Sequence, residues 1–235
     1  MKNKVYICGV LSLLIIFCFG IFGCGKTDTV YVQEPRYPGS ITGTLSMVSG
    51  VVASGVAVEL TQLSTNTKLS TTTDINGYYS FSDLPDGRYL LRYVKSNYVT
   101  FNIPTIISGL HKDISGNLLT PAEITLFFGP AHAYNSQSGL VGTYVRSGRY
   151  AGLEGASVSL SPANYTALGY QKADYTFDWT APSTILGYAM FYNVTPGNYT
   201  LTASKNGYTM FPTSYTDVPV LAGEITQVEF IPTKN

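Results

Sequence analysis

"FSDLPDGRYLLRYVKSNYVTF" runs from Phe81 to Phe101, and its framework returns as "FYNVTPGNYTLTASKNGYTMF" from Phe191 to Phe211. Phe81, Gly87, Tyr89, Lys95, Tyr98 and Phe101 each meet the same residue type 110 positions later. Both stretches read as strand, turn and strand. Pro85 and Pro196 preset a turn, and Gly87 and Gly197 are expected to supply the φ > 0 it needs. Tyr89 and Tyr199 then open the next strand, with Leu91 and Leu201 on the same face, while Phe81 and Phe191 close the strand before.

The copy extends upstream. Gly43-Thr44 corresponds to Gly142-Thr143, Gly55 to Gly155, and Val58 and Leu60 to Val158 and Leu160. The offset is 99, then 100, then 110 from Gly77 and Gly187 onward, so the second copy carries about ten additional residues between Leu160 and Gly187. Loops absorb such insertions while core strands keep their register. "SGVAVELTQL" sets Val56, Val58 and Leu60 against Ala57, Glu59 and Thr61, the alternation of a half-buried strand; "EGASVSLSPA" repeats it with Ala156, Val158 and Leu160. No window reads as a capped amphipathic helix, and Gly or Pro recurs every eight to twelve residues or so, the spacing of an all-β sandwich. The expected architecture is two tandem antiparallel β-sandwich domains at 39–119 and 138–235. A linker at 120–137 joins them and contains one strand-like apolar run, Ile124 to Phe128.

An early Gly-x-Val or Gly-x-Thr, then Gly-x-x-Val-x-Leu, then "TDINGYYSFSDLPDGRYLL" resembles the carboxypeptidase regulatory-like domain, a transthyretin-like β-sandwich. Gly77, Phe81, Leu84, Pro85, Gly87 and Tyr89 are the matching positions. In the second copy Gly187, Phe191, Val194, Gly197 and Tyr199 match; Pro196 sits one place late and no aspartate precedes Gly187. The resemblance spans residues 39–119 and 138–233. It implies the fold and a binding or spacing role; in the enzymes that give the family its name this module is an accessory, so no active site carries over.

The N-terminal "MKNKVYICGVLSLLIIFCFGIFGCGK" begins with Lys2 and Lys4 and continues as an uncharged apolar run from Val5 to Phe22. Such a leader directs export and is set aside in reasoning about the fold. "IFGC" resembles a bacterial lipobox: Ile21 and Gly23 fit it, and Phe22 departs from it. The reading favoured is a signal peptide at 1–23, lipidation at Cys24, and a polar tether at 24–38; an uncleaved signal anchor and plain secretion are the alternatives. Several acyl chains on Cys24 form a firm membrane anchor. Gly25 in place of an aspartate points, by resemblance to lipoprotein sorting, to the outer membrane of a Gram-negative envelope. Cys8, Cys18 and Cys24 are the chain's three cysteines, so the sandwiches rely on their apolar cores and not on disulfides.

Removing Lys2 and Lys4 from the 14 basic residues leaves 12 against 14 acidic ones, and only 12% of the chain is charged. That excludes electrostatic capture of nucleic acid. His111 and His132 lack metal-ligand spacing, and no cofactor or metal is expected. "TTDINGYYSFSD" places Thr72, Asp74, Asn76, Gly77 and Asp83 on the positions of a calcium loop, but Thr stands where the first Asp belongs and the Asp-Ile-Asn-Gly reads better as a hairpin turn. Asn164, Asn193 and Asn198 begin Asn-x-Thr sequons that serve more simply as turn and strand residues. No lysine in "SITGTLSM" or "GLVGTYVRS" supports an isopeptide crosslink. In "QKADYTFDWTAP", strand period puts Tyr175, Phe177 and Trp179 on one face, either as a core strand or as an aromatic platform on which sugars stack. Two functions follow. The first is a non-catalytic, membrane-anchored lipoprotein presenting two modules for adhesion or assembly with envelope proteins. The second is a carbohydrate-binding surface lipoprotein whose polysaccharide ligand rests on Tyr175, Phe177 and Trp179.

Overall fold

The computed structural model describes residues 38–147, 151–174, 176–181 and 186–235. The leader, Cys24 and Tyr175 lie outside the described residues.

Among the described residues the regular elements are nearly all strands. The first copy comprises β1 (Gly39–Met47), β2 (Ala57–Gln62), β3 (Thr67–Thr72), β4 (Tyr78–Leu84), β5 (Gly87–Val94), β6 (Phe101–Ile107), β7 (His111–Asp113) and β8 (Gly116–Leu118). The second comprises β9 (Gly139–Val145), β10 (Ser157–Ser161), β11 (Ala167–Gln171), β12 (Phe177–Asp178), β13 (Tyr188–Val194), β14 (Gly197–Ser204), β15 (Tyr208–Phe211), β16 (Tyr215–Val220) and β17 (Ile225–Lys234). In the first copy β4-β1-β7 packs on β3-β2-β5-β6; in the second β12-β11-β13-β9-β17 packs on β10-β14-β16. Alternation does what the sequence implies: Val58, Leu60, Tyr89, Leu91, Val158, Leu160, Tyr199 and Leu201 are all buried. The sheets are not wholly antiparallel, because β1 runs parallel to β7 and β8, and β17 runs parallel to β9 and β6.

That last pairing joins the copies. Ile225 and Thr226 of β17 lie in register with Phe101 and Asn102 of β6, and Ile225 N–H donates to the Thr100 carbonyl at 2.9 Å. The sheet therefore runs unbroken from β12 through β17 and β6 to β3.

The duplicated turn differs from its expectation in one respect. Gly87 has the expected positive φ, 157°, but Gly197 is not among the positive-φ residues. The left-handed residues are Asp83 (φ 57°) and Asn193 (φ 58°), each at a bulge where the pairing register shifts. Asx side chains tolerate that conformation, so the turn needs no glycine there. Glycine is needed at the other end of the strand. Gly77 (φ 72°) and Gly187 (φ 71°) have no room for a Cβ, which would stand 2.4 Å from the Leu45 carbonyl and 2.3 Å from the Val145 carbonyl. Asp74 holds the first of these turns with its carboxylate, accepting from Asn76 N–H and Tyr78 N–H at 2.8 Å each. The two repeated lysines brace loops: Lys95 Nζ donates to the Ser54 carbonyl at 2.9 Å, and Lys205 Nζ to the Glu154 carbonyl.

One further expectation is corrected, and the insertion brings a change of topology. The strand-like run Ile124–Phe128 is helical: α1 spans Pro121–Phe128. Thr120 caps it, Glu123 returns the bond to the Thr120 N–H at 2.7 Å, and Pro121 opens the helix. The insertion also does not repeat β3. In the first copy β3 folds back on β2, whereas in the second the chain crosses after Ser161-Pro162 and β11 pairs with β13 in the opposite sheet.

Candidate functional site: the seam between the two copies

Side chains 188, 190 and 192 of β13 alternate with 189 and 191. Ala189 and Phe191 enter the second copy's core, while Met190 and Tyr192 join a cluster continuous with the first copy's core. Leu140, Ile225 and the helix residues Ile124 and Phe128 belong to the same cluster. The outer face of the second copy's sheet is thus a second apolar surface, and the segment expected to be a linker covers it.

The aromatic residues singled out in the sequence lie on this surface. Phe177 and Trp179 are half-buried and packed against the shared cluster. Phe128 sets its ring edge against Phe177 at 4.9 Å and Trp179 at 6.0 Å. His132, in the 3₁₀ turn Pro130–His132, stacks on Trp179 at 3.7 Å and 9°, with Tyr192 edge-on to it at 4.9 Å. Beneath the indole lies Gly169 of β11, where a Cβ would stand 2.7–2.9 Å above Cε3, Cδ2 and Cζ3. His132 thus covers one face of the indole, and Gly169 approaches its six-membered ring. Phe177 and Trp179 form a docking surface for the chain's own helix; Tyr175, the third residue of the expected aromatic face, lies outside the described residues. Burial against these rings lowers the His132 pKa below its ordinary value, with the Phe128 backbone hydrogen bond opposing in part.

Polar groups brace the seam at its other edge. Arg92 of β5 directs three nitrogens to three partners: Nη1 to Glu59 at 3.1 Å, Nη2 to Glu224 at 3.0 Å, and Nε to Asn102 Oδ1 at 3.0 Å. Asn102, fully buried, donates to the other Glu224 oxygen at 2.6 Å. Arg92, Glu59 and Asn102 come from the first copy and Glu224 from the second. Tyr134 OH donates to the Gly223 carbonyl at 2.8 Å, and Tyr192 OH to the Ala133 carbonyl at 2.7 Å. Arg88 reaches Thr216 Oγ1 at 3.3 Å. None of this was legible in the sequence, because Arg92 and Glu224 are 132 residues apart.

The remaining candidates serve local structure. His111 is exposed and bonded to Ser40 and Thr42 hydroxyls at 2.9 and 3.2 Å. Asp174 and Asp178 sit below the usual carboxylate range, chiefly because the hydroxyls of Thr176 and Thr180 donate to them. Among the described residues no group of three or more His, Cys, Asp or Glu is placed to hold a metal ion. A cavity of about 450 Å³ lies beside Ser157, Lys205, Asn206 and Tyr208; Lys205, its charged lining residue, is committed to the Glu154 carbonyl.

The family model for the carboxypeptidase regulatory-like domain matches residues 40–114. Comparison with curated proteins finds no match. Among solved structures, the Bacillus anthracis TIE protein is 15% identical with a TM-score of 0.30, over 83% of this chain and 34% of that one. The minor pilin of Streptococcus agalactiae is 14% identical with a TM-score of 0.30, over 84% and 96%. The 5-hydroxyisourate hydrolase of Klebsiella pneumoniae is 24% identical with a TM-score of 0.28, over 35% and 87%. The chain spans about a third of the TIE protein's length, and likenesses at these TM-scores carry no functional weight. Strands β2 to β7, all but the first residue of β1, and the Gly77–Tyr89 motif fall within the matched segment, and residues 40–114 are a carboxypeptidase regulatory-like domain.

Proposed function

We propose that this protein is a non-catalytic lipoprotein of the bacterial cell envelope, anchored through lipid on Cys24, that presents its two β-sandwich copies as one braced unit for adhesion or assembly with envelope proteins. One observation carries the reading: the charged and aromatic side chains that sequence reasoning could have assigned to chemistry are spent on struts. Arg92, Glu59 and Glu224 tie the copies together, Lys95 and Lys205 hold loops, Glu123 caps a helix, and His132 and Trp179 pack on each other. A braced unit at the end of a tether resists reorientation of its modules, which suits a spacer or docking element. The stack of His132 on Trp179 favours this reading over the carbohydrate one.

Fractionation of cells expressing the wild type and Cys24→Ser tests the anchor. The wild type is expected in the outer-membrane fraction with a lipid-modified Cys24 at its N-terminus. Release of Cys24→Ser, or its retention with the leader attached, supports the proposal. An unmodified Cys24 or cleavage elsewhere in the wild type overturns it.

A further inference from the structure

The two copies differ at one sheet edge, and the difference shows what the first copy lacks. In the second copy β13 is paired on both sides, with β9 and with β11. Its counterpart β4, 110 residues earlier, is paired on one side only among the described residues, with β1. Gly77 accepts from Leu45 N–H, and the antiparallel ladder alternates from there, so Tyr79 and Phe81 face β1 while Ser80 and Ser82 turn their N–H and C=O outward. Met190, 110 positions after Ser80, uses the same outward direction toward Gly169 of β11.

A second observation lies across the sandwich. Leu69 of β3 is in register with Leu60, which is 1% exposed, yet Leu69 is 43% exposed. The four-stranded sheet of β4, β1, β7 and β8 ends at β4, and Leu69 is left uncovered. A strand added to β4 would cover Leu69.

We propose that the β4 edge and the uncovered Leu69 form an acceptor site for a single extended segment of another protein. That segment pairs antiparallel with β4, as β11 does with β13. Its side chains follow the β11 pattern: Leu168 and Tyr170 point into the core, while Ala167 and Gly169 face outward. The partner therefore carries large apolar residues at alternate positions, separated by small ones, which is strand addition at a sheet edge. A second copy of this chain offers no such segment: the alternate apolar residues of its β4, Tyr79 and Phe81, are buried in its own core and are not available to cover Leu69. The site specifies the partner class of the assembly role proposed above and rests on that reading. Its test is independent of the membrane anchor.

The probe is a fluorescent peptide of the chain's own β11 sequence, Thr166 to Lys172, titrated into the full chain in detergent. Saturable binding is expected, with NMR shifts at the Ser80 and Ser82 amides. Ser80→Pro removes one outward donor at a position where an edge strand tolerates proline, and is expected to weaken binding about tenfold, the equivalent of one ladder hydrogen bond. Leu69→Asp, at an exposed position that leaves folding intact, is expected to weaken it at least as much. A peptide with serine in place of Leu168 and Tyr170 is expected not to bind. Failure of the β11 peptide to saturate, binding that neither variant alters, or dimerisation of the chain through β4 would each overturn the proposal.

Discussion

Phe128→Ala tests whether the helix at the seam holds the second copy's aromatic surface. The Phe128 ring is 9% exposed and meets both Phe177 and Trp179 edge-on. Truncating a fully buried phenylalanine costs about 3–5 kcal/mol. Phe128 lies at a docking surface that can partly close, so the lower end, about 3 kcal/mol, is expected, including about 1 kcal/mol from the ring pairs. Leu126, 83% exposed on the same helix, is the control, and Leu126→Ala is expected to cost under about 0.5 kcal/mol. Urea denaturation followed by fluorescence is well suited, because Trp179 is the chain's single tryptophan and lies directly beneath the helix. The native emission of Phe128→Ala is also expected to shift to the red as water reaches the indole. Equal costs for the two substitutions, or an unchanged emission maximum, would refute the packing argument.

Gly77→Ala is expected to destabilise the chain by about 2–4 kcal/mol, since it combines left-handed backbone strain with a displaced Leu45 hydrogen bond. Gly87→Ala, strained at φ 157° but with nothing closer to its Cβ than the Gln62 amide at 3.3 Å, is expected to cost less than Gly77→Ala in the same denaturation assay. Arg92→Ala is expected to cost about 2 kcal/mol, a buried-pair loss discounted because the Arg92 side chain is 28% exposed, with Arg92→Lys recovering only part of it. For His132 the folded pKa lies below the unfolded value, so its stability contribution is full above the unfolded pKa of about 6.5 and falls as pH drops through that value toward the folded pKa. His132→Gln is expected to flatten the slope of stability between about pH 7 and 5. Wild-type stability that rises on acidification, lost in His132→Gln, would show cation–π attraction to Trp179 to be the stronger effect.

The fold was legible because duplication and period-2 alternation act locally: Val58 and Leu60, with Val158 and Leu160, announce their strands without reference to partners. The helix was misread because Ile124, Thr125, Leu126, Phe127 and Phe128 favour strands by propensity, while the deciding signal was the Thr120–Glu123 capping box just upstream. The turn was legible at Gly87, whose φ is positive, but not at Gly197, and the left-handed Asp83 and Asn193 carry no signal that separates them from ordinary strand-end residues. Strand period put Phe177 and Trp179 on one face, as core strand or platform, but could not show that His132 and Phe128, about 50 residues earlier in the chain, pack on them. The Arg92 brace depends on strand pairing between copies, which no local pattern encodes.

The central claim is that β6 and β17 fuse the two sandwiches into one cooperative body. Native-state hydrogen exchange on the full chain addresses it most directly, by comparing the amides of β2 and β5 with those of β10 and β14. These lie in opposite copies and occupy equivalent core positions, Leu91 and Leu201 among them. A cooperative body opens them together, so their slowest exchange is predicted to report one common free energy and to fall in parallel in Arg92→Ala. Core amides of one copy exchanging at a clearly lower free energy than those of the other, with Arg92→Ala affecting only the first copy, would show two separately folding domains and contradict the account.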